Sequence, residues 1–278
     1  MRVDDNTKFI KWQSRHLVRH KRGLFLRYNG LMAWIYLSPH FDDVALSCGG
    51  LVWEQVQYGE SVSIWTICAS PPPSVDLSPF ARELHQRWEL GQNAPALRAL
   101  EDRKSAHRLG VSSRYFSIPD CIYRRDSATG EFMYISEAAL NGALQVGDFQ
   151  VIHELREEIQ RSLEPEAALV CPLGLGNHVD HLLTRRATEG LERDLWYYAD
   201  YPYALQSDDQ LEQMKVDRWI CQIFPISQDG LAAWMDSISA HASQISTFWK
   251  NDPAMRQAVT EYLQSNGGIR LWKSPTPE

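Results

Sequence analysis

The sequence predicts an α/β fold, a mainly parallel sheet with helices on both faces. Two observations carry this. Short apolar runs alternate with amphipathic stretches along most of the chain, the pattern of strands joined by crossover helices. Chemistry-bearing residues gather just after two of those runs, and such sheets bind ligands beyond the carboxyl ends of their strands.

The elements follow in order. AWIYLSP (33–39) reads as a buried strand. The stretch DDVALSCGGLVWEQVQYGE follows, with Leu46, Leu51, Val52 and Val56 at helical spacing. VSIWTICA (62–69), rich in β-branched residues, reads as a second strand. SPPPSVDLSP (70–79) must be a loop, because its prolines remove backbone donors and fix φ. Residues 80–109 read as one long helix, or two broken near Pro95, ending at a Gly110 cap. RYFSIPD (114–120) reads as a third strand, and 121–147 holds little pattern. Residues 149–163 are helical and AALVCPLG (167–174) is a fourth strand. A helix over 179–193, a fifth strand LWYYAD (195–200) and a further strand DRWICQIFPI (217–226) come next. Two closing helices, about 228–248 and 253–265, finish the chain.

The 278 residues suffice for one large domain, and neither an internal repeat nor a linker divides them. We therefore expect a basic extension over 1–30 and a single domain over 31–278. The extension carries Arg15, His16, Arg19, His20, Lys21, Arg22 and Arg27. It reads as a solvated basic segment rather than a contact for an anionic partner. The formal net charge of −7 argues against nonspecific nucleic-acid binding. No apolar run reaches the ~18–20 residues of a membrane span, and the first residues do not read as a signal peptide. Five cysteines, none in a C-x-x-C pair, read as buried free thiols. They point to a cytoplasmic protein and away from a cysteine zinc site.

Two segments carry chemistry. SPHFDD (38–43) ends the first strand, and NHVDH (177–181) follows the fourth strand and its GLG turn. A hydrolytic zinc takes three protein ligands and keeps one position open. His40 and Asp43 are three apart on a tight turn. His178 and His181 are three apart at a helix start, where i and i+3 share a face. Taken singly, Asp42, Asp43 or His178 reads as a helix cap. Taken together, the two clusters favour a metal-dependent hydrolase.

These residues also carry a resemblance. SPHFDDVALSCGG resembles the first signature of the PIG-L/LmbE-like deacetylases, close to S-P-H-P-D-D-E-x-L-G-x-G-G. NHVDHLLTRRA resembles their second, H-P-D-H followed by a helix. LRALEDRKSAHRLGV (97–111), IPD (118–120) and HASQ (241–244) are similar to weaker family segments. The resemblance implies a Rossmann-like fold and a mononuclear zinc hydrolase that removes acetyl groups from N-acetylglucosamine units of small molecules or glycoconjugates. It implies His40, Asp43 and His181 as zinc ligands and Asp42 as the general base toward water. It implies that His178 stabilises or protonates the tetrahedral intermediate and that Asp180 holds a histidine from behind. Arg98 and Asp120 match sugar contacts of relatives. Without the resemblance, Arg98 reads as a helix-surface charge beside Glu101 or Asp102, and Asp120 as a turn residue. His85, Arg82 and Trp88 are further candidates to line the pocket.

Departures from the family pattern are Phe41, Val44 and Val179, none at a ligand position. Gly176 stands where some members have a Tyr, so any oxyanion help from that Tyr must come from elsewhere. Rival readings rank lower. The G-L-G of 174–176 lacks the third glycine of a dinucleotide fingerprint, Val179 standing there. A non-catalytic carbohydrate-binding relative is expected to have lost Asp42 or a ligand. An amidase acting on a larger amide conjugate fits the same residues, since the 70–79 loop and the 121–147 segment leave the pocket undefined.

Overall fold

A computed structural model describes residues 33–74 and 76–275; the basic stretch Arg15 to Arg27 lies outside them. The expected strands form β1 (Ala33–Ser38), β2 (Ser61–Thr66), β4 (Ala168–Pro172), β5 (Leu195–Tyr198) and β6 (Ile220–Phe224), whereas β3 (Ser112–Tyr115) lies earlier than the expected 114–120, of which only isolated bridges at Ser117 and Pro119 continue the pairing. A strand missing from the sequence reading, β7 (Ile269–Lys273), completes a seven-stranded sheet of order β3-β2-β1-β4-β5-β7-β6. The first five strands pair in parallel, whereas β7 runs antiparallel to both β5 and β6.

The helices are α1 (Asp43–Gln57), α2 (Pro79–Arg87), α3 (Ala94–Leu109), α4 (Glu137–Leu140), α5 (Asp148–Ser162), α6 (Val179–Glu189), α7 (Asp208–Val216), α8 (Gln228–Ser239), α9 (Ala242–Phe248) and α10 (Asp252–Asn266). They cover both faces of the sheet. Ile35 and Leu37 of β1 share one apolar cluster with Leu155 and Ile159 of α5 and Leu183 of α6. The intervening Tyr36 points the other way and its hydroxyl donates to Gln55 of α1 at 2.9 Å. This alternation is what the two-residue period of a strand imposes when both faces are buried.

Several boundaries differ from the sequence reading. The 80–109 stretch is two helices, α2 and α3, but the break precedes Pro95. Pro95 sits in the first turn of α3, where its missing N–H removes no intrahelical bond. The stretch expected as one helix over 228–248 breaks between α8 and α9. The region 121–147 is irregular, yet Cys121, Ile122, Tyr123, Met133, Tyr134 and Leu140 form a separate buried cluster with Phe80 and Leu84 of α2. Cys48, Cys68, Cys121 and Cys171 are buried free thiols as expected, but Cys221 is exposed on β6. Among the described residues no helix is long and apolar enough to cross a membrane.

Strand order places the chemistry. After β1 the chain moves outward to β2 and β3, then returns to lay β4 on the other side of β1. The crevice between the carboxyl ends of β1 and β4 is therefore the point where the winding direction reverses, the usual ligand site of such sheets. The two motif segments both open onto it.

Candidate metal centre and active site

The turn after β1 is built by its own polar groups. Ser38 Oγ donates to the carbonyl of His40 at 2.6 Å and accepts the Val44 N–H at 3.2 Å. Asp43 Oδ2 accepts the backbone N–H of His40 at 2.7 Å. Ser38 and Asp43 thus satisfy the turn, and Asp42, in the N-cap position of α1, makes no side-chain cap bond. The Asp42 carboxylate is left to the site.

After β4, Gly174, Gly176 and Asn177 all have positive φ (75°, 83° and 60°), which turns the chain sharply into α6. His178 is the N-cap residue of α6, and its Nδ1 accepts the Asp180 N–H at 3.3 Å. That bond requires Nδ1 to be unprotonated and puts the proton of the neutral ring on Nε2.

The structure brings the two motifs together. His40 Nδ1 lies 3.2 Å and His181 Nε2 lies 3.3 Å from the same atom, Asp43 Oδ2. His178 is the most open of the three histidines, its ring centroid 4.8 Å from that of His40 and 5.3 Å from that of His181. Ring nitrogens of His40, His178 and His181 all lie within 4.8 Å of one another. Each of the inner histidines is held from behind by a buried carboxylate. Asp180 Oδ2 is 3.0 Å from His40 Nε2. Asp200 Oδ1 is 2.6 Å from His181 Nδ1, while Asp200 Oδ2 accepts the Leu175 N–H at 2.9 Å. Asp200 stands just beyond the end of β5 and was not singled out in the sequence; only its place after an apolar run marks it.

Charges follow from these contacts. Burial alone would push His40 down, but hydrogen bonds to Asp180 and Asp43 hold it well above the ordinary imidazole range. Burial is likewise outweighed at His181, which Asp43 and Asp200 raise to about 10. Asp43 and Asp180 stay well below the usual carboxylate range despite burial, through His181 and Arg124 respectively. Burial and then the neighbouring His40 push His178 well below the ordinary value, so it is neutral. Positive charge is thus demanded between Asp43 and the two inner imidazoles, and a divalent cation satisfies the same nitrogen and oxygen atoms by displacing protons. Two imidazoles with carboxylates behind them and one carboxylate in front suit such an ion.

The other expected residues take specific places. Arg98 is buried, not a helix-surface charge; its Nη2 lies 3.2 Å from Asp42 Oδ1 and its Nη1 3.9 Å from Asp120 Oδ2. Its guanidinium carbon stands 4.7 Å from the centroid of the Trp88 ring. Glu101 bonds instead to Ser243 in α9, and Asp102 accepts from Tyr115. Asp120 caps the turn at Cys121–Tyr123 and lies 3.8 Å from His40 Nε2. His85 is buried and bonded to the Tyr123 hydroxyl at 2.6 Å, whereas Arg82 is exposed. The place beside Gly176 is filled by Tyr203: a Cβ on Gly176 would stand 3.0 Å from Cβ and Cγ of that ring. The Tyr203 ring packs edge-on against His181. Burial first, then the charges of Asp43 and Asp42, push its phenol well up.

Sequence and fold comparisons show the family and the fold. The family model described as PIG-L, GlcNAc-PI de-N-acetylase, matches residues 35–191. The chain belongs to the PIG-L family. Its similarity to the 2'-N-acetylparomamine deacetylase of Niallia circulans is 30% identity over 199 residues, covering 65% of this chain and 70% of that one. In fold it is similar to the zinc-inhibited form of teicoplanin deacetylase Orf2, with a TM-score of 0.78 at 21% identity, covering 89% of this chain and 99% of the other. A40926 pseudoaglycone deacetylase Dbv21 is similar at a TM-score of 0.69 and 22% identity, over 89% and 99% of the two chains. The sequence match of the family model ends at residue 191, just past α6, while the fold match covers 89% of the chain.

Proposed function

We propose that this chain is a zinc-dependent N-deacetylase that removes an acetyl or related acyl group from an N-acylated amino sugar or its conjugate. The observation that carries the reading is the convergence of His40 Nδ1 and His181 Nε2 on Asp43 Oδ2, with Asp42 beside it and engaged by Arg98. His40, Asp43 and His181 would hold the metal. When bound, zinc would polarise the amide carbonyl and acidify water.

The chain's own groups account for the remaining steps. Asp42, uncommitted as a cap, takes the proton of the attacking water. Arg98 orients that carboxylate through the 3.2 Å contact between Nη2 and Oδ1. His178, neutral with its proton on Nε2, donates a hydrogen bond to the oxygen that becomes negative, and the proton taken up by Asp42 passes to the departing amine. The Tyr203 hydroxyl is a second donor on that side, where some relatives use a Tyr from the turn itself. Trp88, stacked on Arg98, and Asp120 line the approach and are placed to meet sugar faces and hydroxyls. The buried carboxylates of Asp42, Asp43 and Asp120 suit a small neutral or cationic amino sugar.

The test pairs metal analysis of the purified chain with amine release from a panel of N-acetylated amino sugars, beginning with 2'-N-acetylparomamine and an acylated glycopeptide. About one zinc per chain and chelator-sensitive release are expected. Turnover only on amides outside amino sugars would favour the amidase reading, and failure to take up zinc would sink the mechanism.

A further inference from the structure

Arg124 lies in the irregular segment after Asp120, outside both motifs, yet it is 5% exposed and enters the site from behind. Its Nη1 stands 2.5 Å from Asp180 Oδ1, and its Nε 3.2 Å from Asp148 Oδ1. Asp148 begins α5 and is wholly buried. Its other oxygen accepts from the Tyr134 hydroxyl and, at 2.8 Å, from the Gln145 N–H. Beyond Arg124, Asp180 Oδ2 accepts the Cys121 N–H at 3.0 Å and faces His40 Nε2 at 3.0 Å. A single buried line of contacts therefore runs Tyr134, Asp148, Arg124, Asp180, His40.

Two buried carboxylates and one guanidinium carry a large desolvation cost, and packing alone gives no reason to end the line on an imidazole nitrogen. The line has a consequence there. With Asp180 ionised and its Oδ2 fixed, His40 donates from Nε2, which leaves Nδ1 to face Asp43 Oδ2. Partners behind a metal-bound histidine set its tautomer and orientation in this way. Arginine suits the task because its planar fork reaches both carboxylates at once, which a lysine cannot do.

We propose that Arg124 is a positioning residue of the metal centre. Anchored by Asp148 and Tyr134, it holds Asp180 so that His40 presents Nδ1 toward the metal. The inference rests on the zinc reading above and extends it to a segment that neither motif contains.

The test uses the full chain, Zn²⁺ alone as probe, and the variants Arg124→Met, Arg124→Lys and Tyr134→Phe. Zinc affinity is read by competition with a fluorescent chelator. The His40 tautomer is read by ¹⁵N-edited NMR of the zinc-loaded protein, where one ring nitrogen has lost its proton to the metal, and folding by thermal unfolding of the chelator-treated protein. Arg124→Met is expected to lose about 10–100-fold in zinc affinity, Arg124→Lys less and Tyr134→Phe least, with His40 no longer held as the Nε2–H form. A folded Arg124→Met that binds zinc as tightly as the parent overturns the proposal. So does a loss of affinity that tracks unfolding temperature while the His40 tautomer is unchanged. If Arg124→Met does not fold, parent-like affinity and tautomer in both other variants overturn it. A parent chain that takes up no zinc removes the zinc reading itself, an outcome distinct from equal binding by parent and variant.

Discussion

The Nη2 of Arg98 lies 3.2 Å from Oδ1 of Asp42, across 56 residues of chain. It ties the second turn of α3 to the N-cap residue of α1, and both are buried. An arginine that reads in sequence as either a surface charge or a sugar contact is thus paired with the carboxylate proposed as the base. The guanidinium still presents Nη1 toward Asp120, so holding Asp42 and meeting substrate are compatible.

Replacing the base separates metal binding from chemistry. Asp42→Asn keeps the shape of the turn and the ligands, so zinc content should be unchanged while kcat falls by about 10²–10⁴-fold. Arg98→Met should lower kcat as well, since Asp42 loses its ionic partner. A rise in KM with kcat intact would assign Arg98 to substrate binding alone. Both are read from steady-state amine release beside metal analysis.

Histidine 181 and its partner can be tested without substrate. His181→Ala removes a proposed ligand and should abolish stoichiometric zinc. Asp200→Asn, which leaves the ring but weakens its support 2.6 Å away, should cost about 10–100-fold in affinity. A His181 variant with parent-like affinity would overturn the ligand assignment.

Gly176→Ala should destabilise the fold for two separable reasons. A side chain at φ 83° is strained, by about 1–2 kcal/mol, and the new Cβ would stand 3.0 Å from the Tyr203 ring. In a Tyr203→Gly background, which removes both the ring and its Cβ, only the strain remains. The cost of Gly176→Ala should therefore shrink there, a coupling that denaturant melts on the four proteins would reveal.

Stability should fall on acidification through His241. Burial lowers its pKa from the ordinary 6.5 to about 4, and its Nε2 has no hydrogen-bond partner among the described residues. The unfolded chain therefore binds a proton that the folded chain refuses. The stabilisation is complete above pH 6.5 and is lost as pH falls toward 4, by on the order of 3 kcal/mol for this group. His241→Asn should flatten the difference between melts at pH 7 and pH 5 relative to the parent. An unchanged pH slope would show that His241 does not carry it.

Much of the fold is legible along the chain. The strands and flanking helices around both motifs emerge from their apolar periods because each is deeply buried. The misses have local causes. Helix α7 buries only Met214, so no apolar stripe announces it. Strand β7 is five residues, IRLWK, and follows directly from α10 through Gly267 and Gly268. A Cβ on Gly268 would lie 2.3 Å from the Phe224 carbonyl oxygen, a contact between distant segments that no neighbour in sequence records. The break at His241 likewise falls inside a continuous helical pattern.

The candidate site divides the same way. Residues three apart on one turn or one helix face are neighbours by backbone geometry, and so His40 with Asp43, and His178 with His181, follow from spacing alone. Nothing local sets the distance between those pairs. It is decided when β1 and β4 pair in parallel, Trp34 opposite Ala168, and bring their carboxyl ends to one crevice. Asp200 and Tyr203, from the connection after β5, and Arg124, from the segment after Asp120, join from two further stretches, each ordinary in its own part of the chain. Only packing, which makes buried charge find a partner, turns them into parts of one centre.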